Sequence, residues 1–300
     1  MTLAIRPVPS ASGGSAAYRD RALDAATAHV ATQYDTLQAG LARIDKPEKY
    51  LNYGFATGHS ETYEERQAEL CRRVFALADI GAGDVVVDVG FGSGEQDLLL
   101  AREREFAELH GFNIAALQVA YATERARAAG LSERLHFHHG QAEDLSVLAP
   151  SSVDKMIAVE CAFYFDRARF YAEAARVLGP GGRLALADIA FADRAGVLIE
   201  RFEGLRRVGT LASNRAAWER HLRTVTVENI NAHVRPGAQQ TVWRCASSVT
   251  YNLGLEELST WLSLGMYTQA LVLGLATGLL RYDLILLAAP SDGARAHGVG

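Results

Sequence analysis

The apolar residues of this chain fall into short β-branched runs that alternate with longer segments of helical periodicity. A run such as Val85–Val89 is typical of a strand buried on both faces. Between these runs, apolar residues recur every three or four positions, as on one face of a helix. The predicted strands lie near Val85–Val89, Phe106–Phe112, Leu135–His138, Val153–Val159, Leu184–Ile189, Val225–Ile230 and Leu284–Ala288. The alternation predicts an α/β fold with a doubly wound, mostly parallel sheet of seven strands.

Two of the predicted helices have recognisable ends or faces. The segment Asp166–Leu178 begins with a residue type that caps helix N-termini, and Gly179-Pro180-Gly181-Gly182 ends it. A second helix is predicted over Ala115–Ala129. Its predicted inner face is formed by Leu117, Tyr121 and Ala128.

The segments outside the strand-rich region are predicted to cover one side of the sheet. In open α/β sheets the ligand binds beyond the carboxyl ends of the strands, and we expect the additional helices to close that side. The predicted divisions are a disordered leader (1–15), an N-terminal helical lid (16–80), a ligand-binding core (81–191), a helical cap inserted after the fifth strand (192–222), a segment that completes the sheet and adds cap helices (223–290), and a flexible tail (291–300).

The most informative local pattern is Gly90-Phe91-Gly92-Ser93-Gly94, which follows the first predicted strand. Glycines at alternate positions let the backbone approach a ligand, so the pattern indicates a nucleoside-binding turn. A dinucleotide site would have a third glycine at position 95, where this chain has Glu95. A carboxylate there disfavours a pyrophosphate but not a ligand that carries positive charge. A tight turn without a ligand is the alternative.

Composition narrows the class of protein. The 300 residues are 49% hydrophobic with a net charge of −5, which suits a globular protein with a sizeable core and not a nucleic-acid binder. The longest apolar stretch, Ala270–Leu280, is shorter than the about 20 residues that span a bilayer. Cys71, Cys161 and Cys245 are too few and too far apart for a disulfide framework. With no export signal at the start, we expect a cytoplasmic protein with neither nucleic-acid nor membrane partners.

Four further motifs follow the glycine turn in order: Gly111-Phe112-Asn113-Ile114, Gly140–Leu145, Val159–Phe165 and Val177–Leu184. Together with the turn they resemble class I S-adenosylmethionine-dependent methyltransferases. The chain looks more narrowly like bacterial natural-product methyltransferases, such as macrolide-sugar O-methyltransferases, and more distantly like prenyl-diphosphate C-methyltransferases. The resemblance covers roughly Tyr50–Ile189 and Tyr282–Ala289 and implies a Rossmann-like methyltransferase fold with S-adenosylmethionine as cofactor.

The resemblance also implies which residues hold the cofactor. The glycine turn and Asp88 correspond to the part that wraps the methionine moiety. Asn113 stands where the family usually has an acidic residue for the ribose hydroxyls, and Gln118 is one helical turn further on. The segment Gly140–Leu145 borders the adenine in the family. The implied cofactor-binding residues are Tyr53, Asp88, Gly90, Gly92, Gly94, Asn113, Gln118, Gln141, Ala142, Glu143 and Glu160.

The loop after the fourth strand carries the candidate catalytic residues, Glu160 and Tyr164. O-methyltransferases of the group often have a histidine base where this chain has Tyr164, and a phenol with a pKa of about 10 is a poor base. Burial beside aromatic rings would raise the pKa of Glu160 and make it the better base. Capping of the next helix is the alternative role for Glu160, and core packing is the alternative for the rings. The residues expected to contact the acceptor are Tyr50, Phe55, Phe163, Tyr164 and Phe165.

The acceptor is expected to be a hydrophobic small molecule, and the spacing of Glu160 and Tyr164 is shared with the prenyl-diphosphate C-methyltransferases. That resemblance favours C-methylation of an isoprenoid alkene. O-methylation of a polyketide, macrolide sugar or similar natural product is the alternative, and a non-catalytic cofactor-binding module is a more remote one. The sequence leaves a homodimer open.

A metal ion is expected only if the acceptor is a diphosphate, which would bring Mg²⁺ with it. His136 and His138 share one strand face, but no carboxylate stands beside them at ligand spacing. Arginines of the predicted cap could clamp a diphosphate, with solvated surface positions as the alternative. They are Arg201, Arg206, Arg207, Arg215, Arg220 and Arg223.

Overall fold

The computed structural model describes residues 16–41, 49–58, 61–199, 205, 207–247 and 255–291. The predicted leader, Arg201, Arg206 and nearly all of the predicted tail lie outside these residues. The helices are α1 (Ala16–Leu41), α2 (Tyr63–Ala78), α3 (Glu95–Glu103), α4 (Ala116–Ala128), α5 (Arg167–Val177), α6 (Gly196–Ile199), α7 (Leu211–Trp218), α8 (Asn231–Ser247) and α9 (Leu255–Thr277). The strands are β1 (Val85–Val89), β2 (Glu108–Asn113), β3 (Leu135–His139), β4 (Val153–Val159), β5 (Leu178–Phe191), β6 (Arg223–Asn229) and β7 (Leu280–Ala288).

The seven strands form one sheet in the order β3-β2-β1-β4-β5-β7-β6. The pairs among β1 to β5 are parallel, whereas β7 runs antiparallel to both β5 and β6. The predicted seven-stranded, mostly parallel α/β fold is therefore confirmed. Strands β5 and β7 are longer than predicted, because they pair along nine positions from Arg183↔Ala288 to Phe191↔Leu280.

Alternate residues of the central strands enter two hydrophobic cores on opposite faces of the sheet. Val86 and Ile157 belong to one core, and Val87 and Met156 belong to the other. All four side chains have no exposed surface. This burial on both faces explains why the strands read as continuous apolar runs in the sequence. Their carboxyl ends all point toward the same edge, where the loops that follow them gather.

The helix predicted from Asp166 is confirmed almost to the residue. The Asp166 carboxylate accepts hydrogen bonds from the backbone N–H groups of Ala168 and Arg169, which caps α5. Phe170 and Ala174 are fully buried on its inner face. The chain then passes directly into β5 through the glycine-rich segment that was predicted to end the helix.

The predicted inner face of α4 was wrong. Leu117 is 48% exposed and Ala128 is also exposed, whereas Gln118, Ala122 and Ala126 are buried. On the buried side, Gln118 Oε1 accepts from Asn113 Nδ2 over 2.9 Å, and Ala122 packs so closely on Gly94 that a Cβ there would lie 2.6 Å away.

The region that was predicted as a lid divides into two parts. Helix α2 packs on β4 and β5, with Leu70 and Val74 fully buried, so it is a layer of the core. Helix α1 instead contacts α4 and α9. No helix among the described segments is both long enough and apolar enough to cross a bilayer.

A buried ion pair joins α5 to the middle of β5. Arg167 Nη1 donates to Asp188 Oδ2 over 2.7 Å, and the two side chains are only 8% and 2% exposed. The guanidinium also donates to the carbonyl oxygens of Arg207 and Val208 over 3.3 Å each. The pair therefore connects the sheet, α5 and the segment that leads into α7.

Replacing Arg167 by Met should lower the free energy of unfolding by about 3–5 kcal/mol, because the Asp188 carboxylate is left buried without its cation. The matched control is Arg127→Met, which removes an exposed pair with Glu124 (side chains 69% and 62% exposed). The control should change stability by less than about 1 kcal/mol. Urea denaturation of both variants measures the difference, and equal losses would contradict the assignment.

Candidate active site

Two adjoining cavities lie at the carboxyl ends of the parallel strands. The first, which we call the turn cavity, has a volume of about 90 Å³ and lies against the glycine turn after β1. The second, the apolar cavity, has a volume of about 300 Å³ and extends toward α8 and α9. The residues that line both cavities are Tyr34, Leu51, Asn52, Glu160 and Tyr164.

The glycines of the turn have two separate roles. Gly90, Gly92 and Gly94 all have φ between 58° and 76°, a region that disfavours residues with a Cβ. Gly90 and Gly92 line the turn cavity. Gly94 does not; a Cβ at this position would lie 2.6 Å from the Cβ of Ala122, so it allows α3 to start against α4.

An unpartnered donor marks the wall of the turn cavity at the end of β2. Asn113 Oδ1 accepts from the Ala115 N–H over 3.0 Å, and its Nδ2 donates to Gln118 Oε1 over 2.9 Å. This orientation leaves Gln118 Nε2 without a partner among the described residues, although the side chain is 1% exposed. Both residues line the cavity, so a ligand oxygen can satisfy this donor.

The loop after β3 contributes only part of the predicted set. Ala142 and Glu143 line the turn cavity. Glu143 Oε1 accepts the Asp166 N–H over 2.7 Å, which fixes the carboxylate against the start of α5, and burial raises its pKa. Gln141 is exposed and does not line the cavity, which corresponds to a solvated position in the loop.

Asp88 lies beneath the turn and not in its cavity wall. It is fully buried, and its Oδ2 accepts a hydrogen bond from Nε2 of Gln96, which does line the cavity. Burial raises the pKa of Asp88 to about 7, and burial together with the nearby Asp88 raises the pKa of Asp97 well above its ordinary value. Asp88 therefore contacts the cavity through Gln96.

Glu160 stands at the junction of the two cavities. Its φ of 54° is in the left-handed region, where a residue with a side chain costs about 1–2 kcal/mol. Its Oε1 accepts both the Tyr53 N–H over 2.8 Å and the Tyr282 hydroxyl over 2.6 Å. Burial raises the pKa of Glu160 to about 8, against the opposing effect of these two hydrogen bonds. Since Asp166 caps α5, Glu160 has no capping role there.

Tyr164 lines both cavities but is not suited to act as a base. Its hydroxyl lies 3.2 Å from the hydroxyl of Tyr34 on α1. Burial and the nearby Tyr34 raise its pKa well above the ordinary value for a phenol. The neutral ring therefore serves to shape the junction between the cavities, together with Tyr34.

The other predicted aromatic residues are divided between the two cavities. Of the residues expected to contact the acceptor, Phe163 lines the apolar cavity, whereas Tyr50 and Phe165 line the turn cavity. Tyr53, expected at the cofactor, lines the apolar cavity instead, and its hydroxyl lies 3.3 Å from Thr268 Oγ1.

Phe55 requires a correction, because it lines neither cavity. Its ring stacks on His233 with centroids 4.1 Å apart, and the guanidinium of Arg73 lies 4.6 Å from its centroid. The residue packs the Tyr50–Phe55 segment between α2 and α8. Gly237 of α8 also holds this segment in place, because its backbone lies so close to the Tyr53 carbonyl oxygen that a Cβ would overlap it.

The apolar cavity has a carboxylate in its wall but no described cation. Arg207 Nη1 donates to the Tyr164 carbonyl oxygen over 3.2 Å, and Arg215, Arg220 and Arg223 are exposed. Among the described residues, no arginine or lysine lines this cavity. Its wall therefore suits a neutral, largely apolar molecule. Side chains that supply the apolar surface include Leu37, Phe163, Ile189, Val208, Leu264 and Leu271.

The histidines of β2 and β3 pack on one another. The ring of His110 stacks on His136 and His138 at centroid distances of 5.2 and 5.4 Å. His110 Nδ1 lies 3.1 Å from His138 Nε2. Contrary to the expectation that no carboxylate stands beside these histidines, Glu108 lies 3.6 Å from Nε2 of His110 and 3.7 Å from Nε2 of His136. The described residues include no cluster of three or more side chains that could hold a metal ion.

Several site residues escaped the sequence analysis. Tyr34 comes from α1, Thr268 from α9 and Tyr282 from β7, all far from the motifs in sequence. Only Tyr282 carried a signal, because it begins the C-terminal part of the family resemblance.

Comparisons with known proteins agree with this geometry. The profile of the "Methyltransferase domain" family matches residues 87–186. The chain is 36% identical to erythromycin 3''-O-methyltransferase of Saccharopolyspora erythraea over 47% of this chain and 46% of that protein. It is 30% identical to 27-O-demethylrifamycin SV methyltransferase of Amycolatopsis mediterranei over 62% of this chain and 71% of that protein. The chain thus spans about half the length of the first of these relatives.

Solved structures show the same fold at lower identity. The crystal structure of the [4+2]-cyclase SpnF aligns with a TM-score of 0.74 at 19% identity, covering 88% of this chain and 96% of that one. Geranyl diphosphate C-methyltransferase from Streptomyces coelicolor A3(2) aligns with a TM-score of 0.67 at 14% identity, covering 88% and 98%.

A cavity against a glycine turn and an adjoining apolar cavity lie at the carboxyl ends of a mostly parallel sheet of seven strands. The chain belongs to the class I S-adenosylmethionine-dependent methyltransferases, of the natural-product type. The residues present fit the cofactor. Gly92 leaves its backbone open to the turn cavity, whereas a Cβ on Gly90 would lie 2.6 Å from the Cβ of Cys161. Gln118 Nε2 is a buried donor that the ribose or adenine can satisfy.

Replacing Gln118 by Leu should weaken binding of S-adenosylhomocysteine by about 5- to 10-fold, because one neutral hydrogen bond is lost in a buried wall. The matched control is Gln141→Leu, in the exposed loop position, which should stay within about 2-fold of the original affinity. Titration calorimetry of both variants measures the effect. An equal loss in the two variants would show that Gln118 does not face the ligand.

Replacing Glu160 by Gln should flatten the dependence of stability on pH. The pKa of Glu160 is about 8 when folded against an ordinary 4.5, so the folded state binds the proton more tightly. The protonated Glu160 carboxyl makes its full contribution to the free energy of unfolding below pH 4.5, and this contribution is lost as pH rises through 8. The slope between these limits approaches about 1.4 kcal/mol per pH unit, and the glutamine variant should lack that part. Urea denaturation from pH 5 to 8 measures it; parallel curves for the two proteins would contradict the raised pKa.

Proposed function

We propose that this protein transfers the methyl group of S-adenosylmethionine to a hydroxyl oxygen of a neutral, hydrophobic natural product. The observation that carries the proposal is the position of Glu160, whose carboxylate lies in the wall of both cavities. A base at that junction can reach an acceptor in the apolar cavity while the cofactor occupies the turn cavity.

The relatives support oxygen as the methylated atom. The relative at 36% identity is named as an O-methyltransferase. The relative at 30% identity is named as the methyltransferase of 27-O-demethylrifamycin SV. Because the match spans 46% of the first relative, we take from these names only the class of acceptor, a hydroxyl of a natural product. A hydroxyl on a large apolar skeleton also suits a cavity whose described wall has one carboxylate and no cation.

Methyl transfer forms a bond between the acceptor oxygen and the methyl carbon while the carbon–sulfur bond opposite the oxygen breaks. When bound, S-adenosylmethionine would supply the electrophilic methyl group and leave as S-adenosylhomocysteine. The apolar wall excludes water and holds the acceptor hydroxyl about 3 Å from the carbon that it attacks. The hydroxyl proton passes to Glu160 Oε2, because Oε1 already accepts two hydrogen bonds. The fraction of Glu160 in the carboxylate form increases as pH rises toward 8. The positive sulfonium of a bound cofactor would increase that fraction further.

C-methylation of an isoprenoid alkene is the second candidate, and the aromatic junction is the observation that favours it. The rings of Tyr34, Phe163 and Tyr164 surround Glu160, and π faces stabilise a carbocation. Glu160 would then remove a proton from carbon. A diphosphate acceptor would need Mg²⁺ and basic partners, and the described part of the apolar cavity offers none. A neutral terpenoid fits this candidate better than a prenyl diphosphate.

Incubation with methyl-labelled cofactor should give labelled product with neutral macrolide, polyketide or terpenoid alcohols and not with geranyl diphosphate. Replacing Glu160 by Gln should lower kcat by about 100-fold or more, within the usual effect of a positioned base. Product analysis by NMR distinguishes an O-methyl from a C-methyl signal.

Cofactor affinity serves as the control, since both Glu160 hydrogen bonds to Oε1 persist in the glutamine variant. Label found only on carbon would establish the second candidate. Cofactor binding without turnover on any acceptor class would instead indicate a non-catalytic module.

A further inference from the structure

We propose that Tyr282 is a positioning residue for Glu160, whose hydroxyl occupies Oε1 and thereby leaves Oε2 as the oxygen that takes the acceptor's proton. This inference rests on the proposed function, because it concerns the base used in methyl transfer. It adds to the site a buried side chain of β7, the antiparallel strand whose first residue, Leu280, lines the apolar cavity.

Tyr282 is held rigidly by its own backbone. Its N–H donates to Asn231 Oδ1 over 2.7 Å, and its carbonyl oxygen accepts the Ile230 N–H over 2.8 Å. It pairs with Ile189 in β5, and the side chain has no exposed surface. The phenol therefore has little freedom to move away from Glu160, to which it donates over 2.6 Å.

The two donors on Oε1 come from different parts of the chain. One is the Tyr53 N–H from the segment before α2, and the other is the Tyr282 hydroxyl from the last strand. No described residue donates to Oε2. When Glu160 is protonated, the proton therefore resides on Oε2, the oxygen that is left for an acceptor hydroxyl. The pair of donors thus selects which oxygen reacts.

The groups around Glu160 stay neutral while its carboxyl titrates. They are the phenols of Tyr34, Tyr53, Tyr164 and Tyr282 and the thiols of Cys71 and Cys161, and burial raises the pKa of each. Asp88, with a pKa of about 7, lies under the glycine turn on β1 and is bonded to Gln96. The Tyr282 hydroxyl is thus a donor that favours the charged form of Glu160, in a site with no described cation beside it.

Replacing Tyr282 by Phe removes this donor and keeps the ring. We expect the acid limb of the kcat profile, measured at saturating cofactor, to move about one pH unit higher, because the carboxylate loses a charge-assisted hydrogen bond. At pH 7 kcat should fall by about 10-fold, and it should recover toward the original value as pH approaches 10. A purely structural role for Tyr282 would lower kcat equally at every pH.

The matched control is Tyr171→Phe, which removes another fully buried phenol hydroxyl, one that lies 3.4 Å from Arg167 and not at the site. This variant should leave the acid limb in place. Installing p-aminophenylalanine at position 282 restores an N–H donor at the same point and should return the limb toward its original position. Carbon-13 NMR of the Glu160 carboxyl titrates the residue directly in the full chain, without turnover.

An unchanged limb and an unchanged carboxyl titration in the Tyr282→Phe variant would overturn the proposal. Failure of the proposed function gives a different result, because either the unsubstituted protein would turn over no acceptor or the Glu160→Gln variant would keep its turnover. If Glu160→Gln loses turnover while the acid limb of Tyr282→Phe stays in place, Glu160 remains the base and Tyr282 has no positioning role. If Tyr282→Phe lowers the unfolding temperature, the carboxyl titration below that temperature still decides.

Discussion

The site depends on a single carboxyl group that is kept away from water between two donors. Glu160 has left-handed backbone geometry and a buried side chain, two features that are each unfavourable. The Tyr53 N–H and the Tyr282 hydroxyl compensate by holding one of its oxygens. Because one donor belongs to the segment before α2 and the other to β7, the correct geometry exists only after the whole sheet has formed.

The fold followed from the sequence because its signals are local and repeated. A strand buried on both faces favours a β-branched apolar run, and Val85–Val89 is valine at every position except Asp88. The Asp166 cap and the glycines after α5 are equally local. The face of α4 was mispredicted because its buried side is formed by Gln118 and by small residues such as Ala122, which lies against Gly94. Apolar periodicity does not record such contacts.

The sequence pointed to the cavity-lining residues that belong to the motifs at the ends of the parallel strands. It did not point to residues that only the tertiary structure brings to the site. Gly90, Gly92, Asn113 and Glu160 follow parallel strands, whose carboxyl ends meet at one edge by topology. Aromatic residues of the Tyr50–Phe55 segment were harder, since a segment that folds over a site presents alternate rings in opposite directions. Tyr53 therefore faces the apolar cavity while Phe55 packs on His233.

Helix α1 places one side chain, Tyr34, in the walls of both cavities. A mutation there cannot adjust the fit of one ligand in isolation, because the same ring borders the other. Leu264 and Leu271 border only the apolar cavity, so substitutions there change its wall without touching the turn cavity. The two cavities can therefore vary independently only at positions away from their junction.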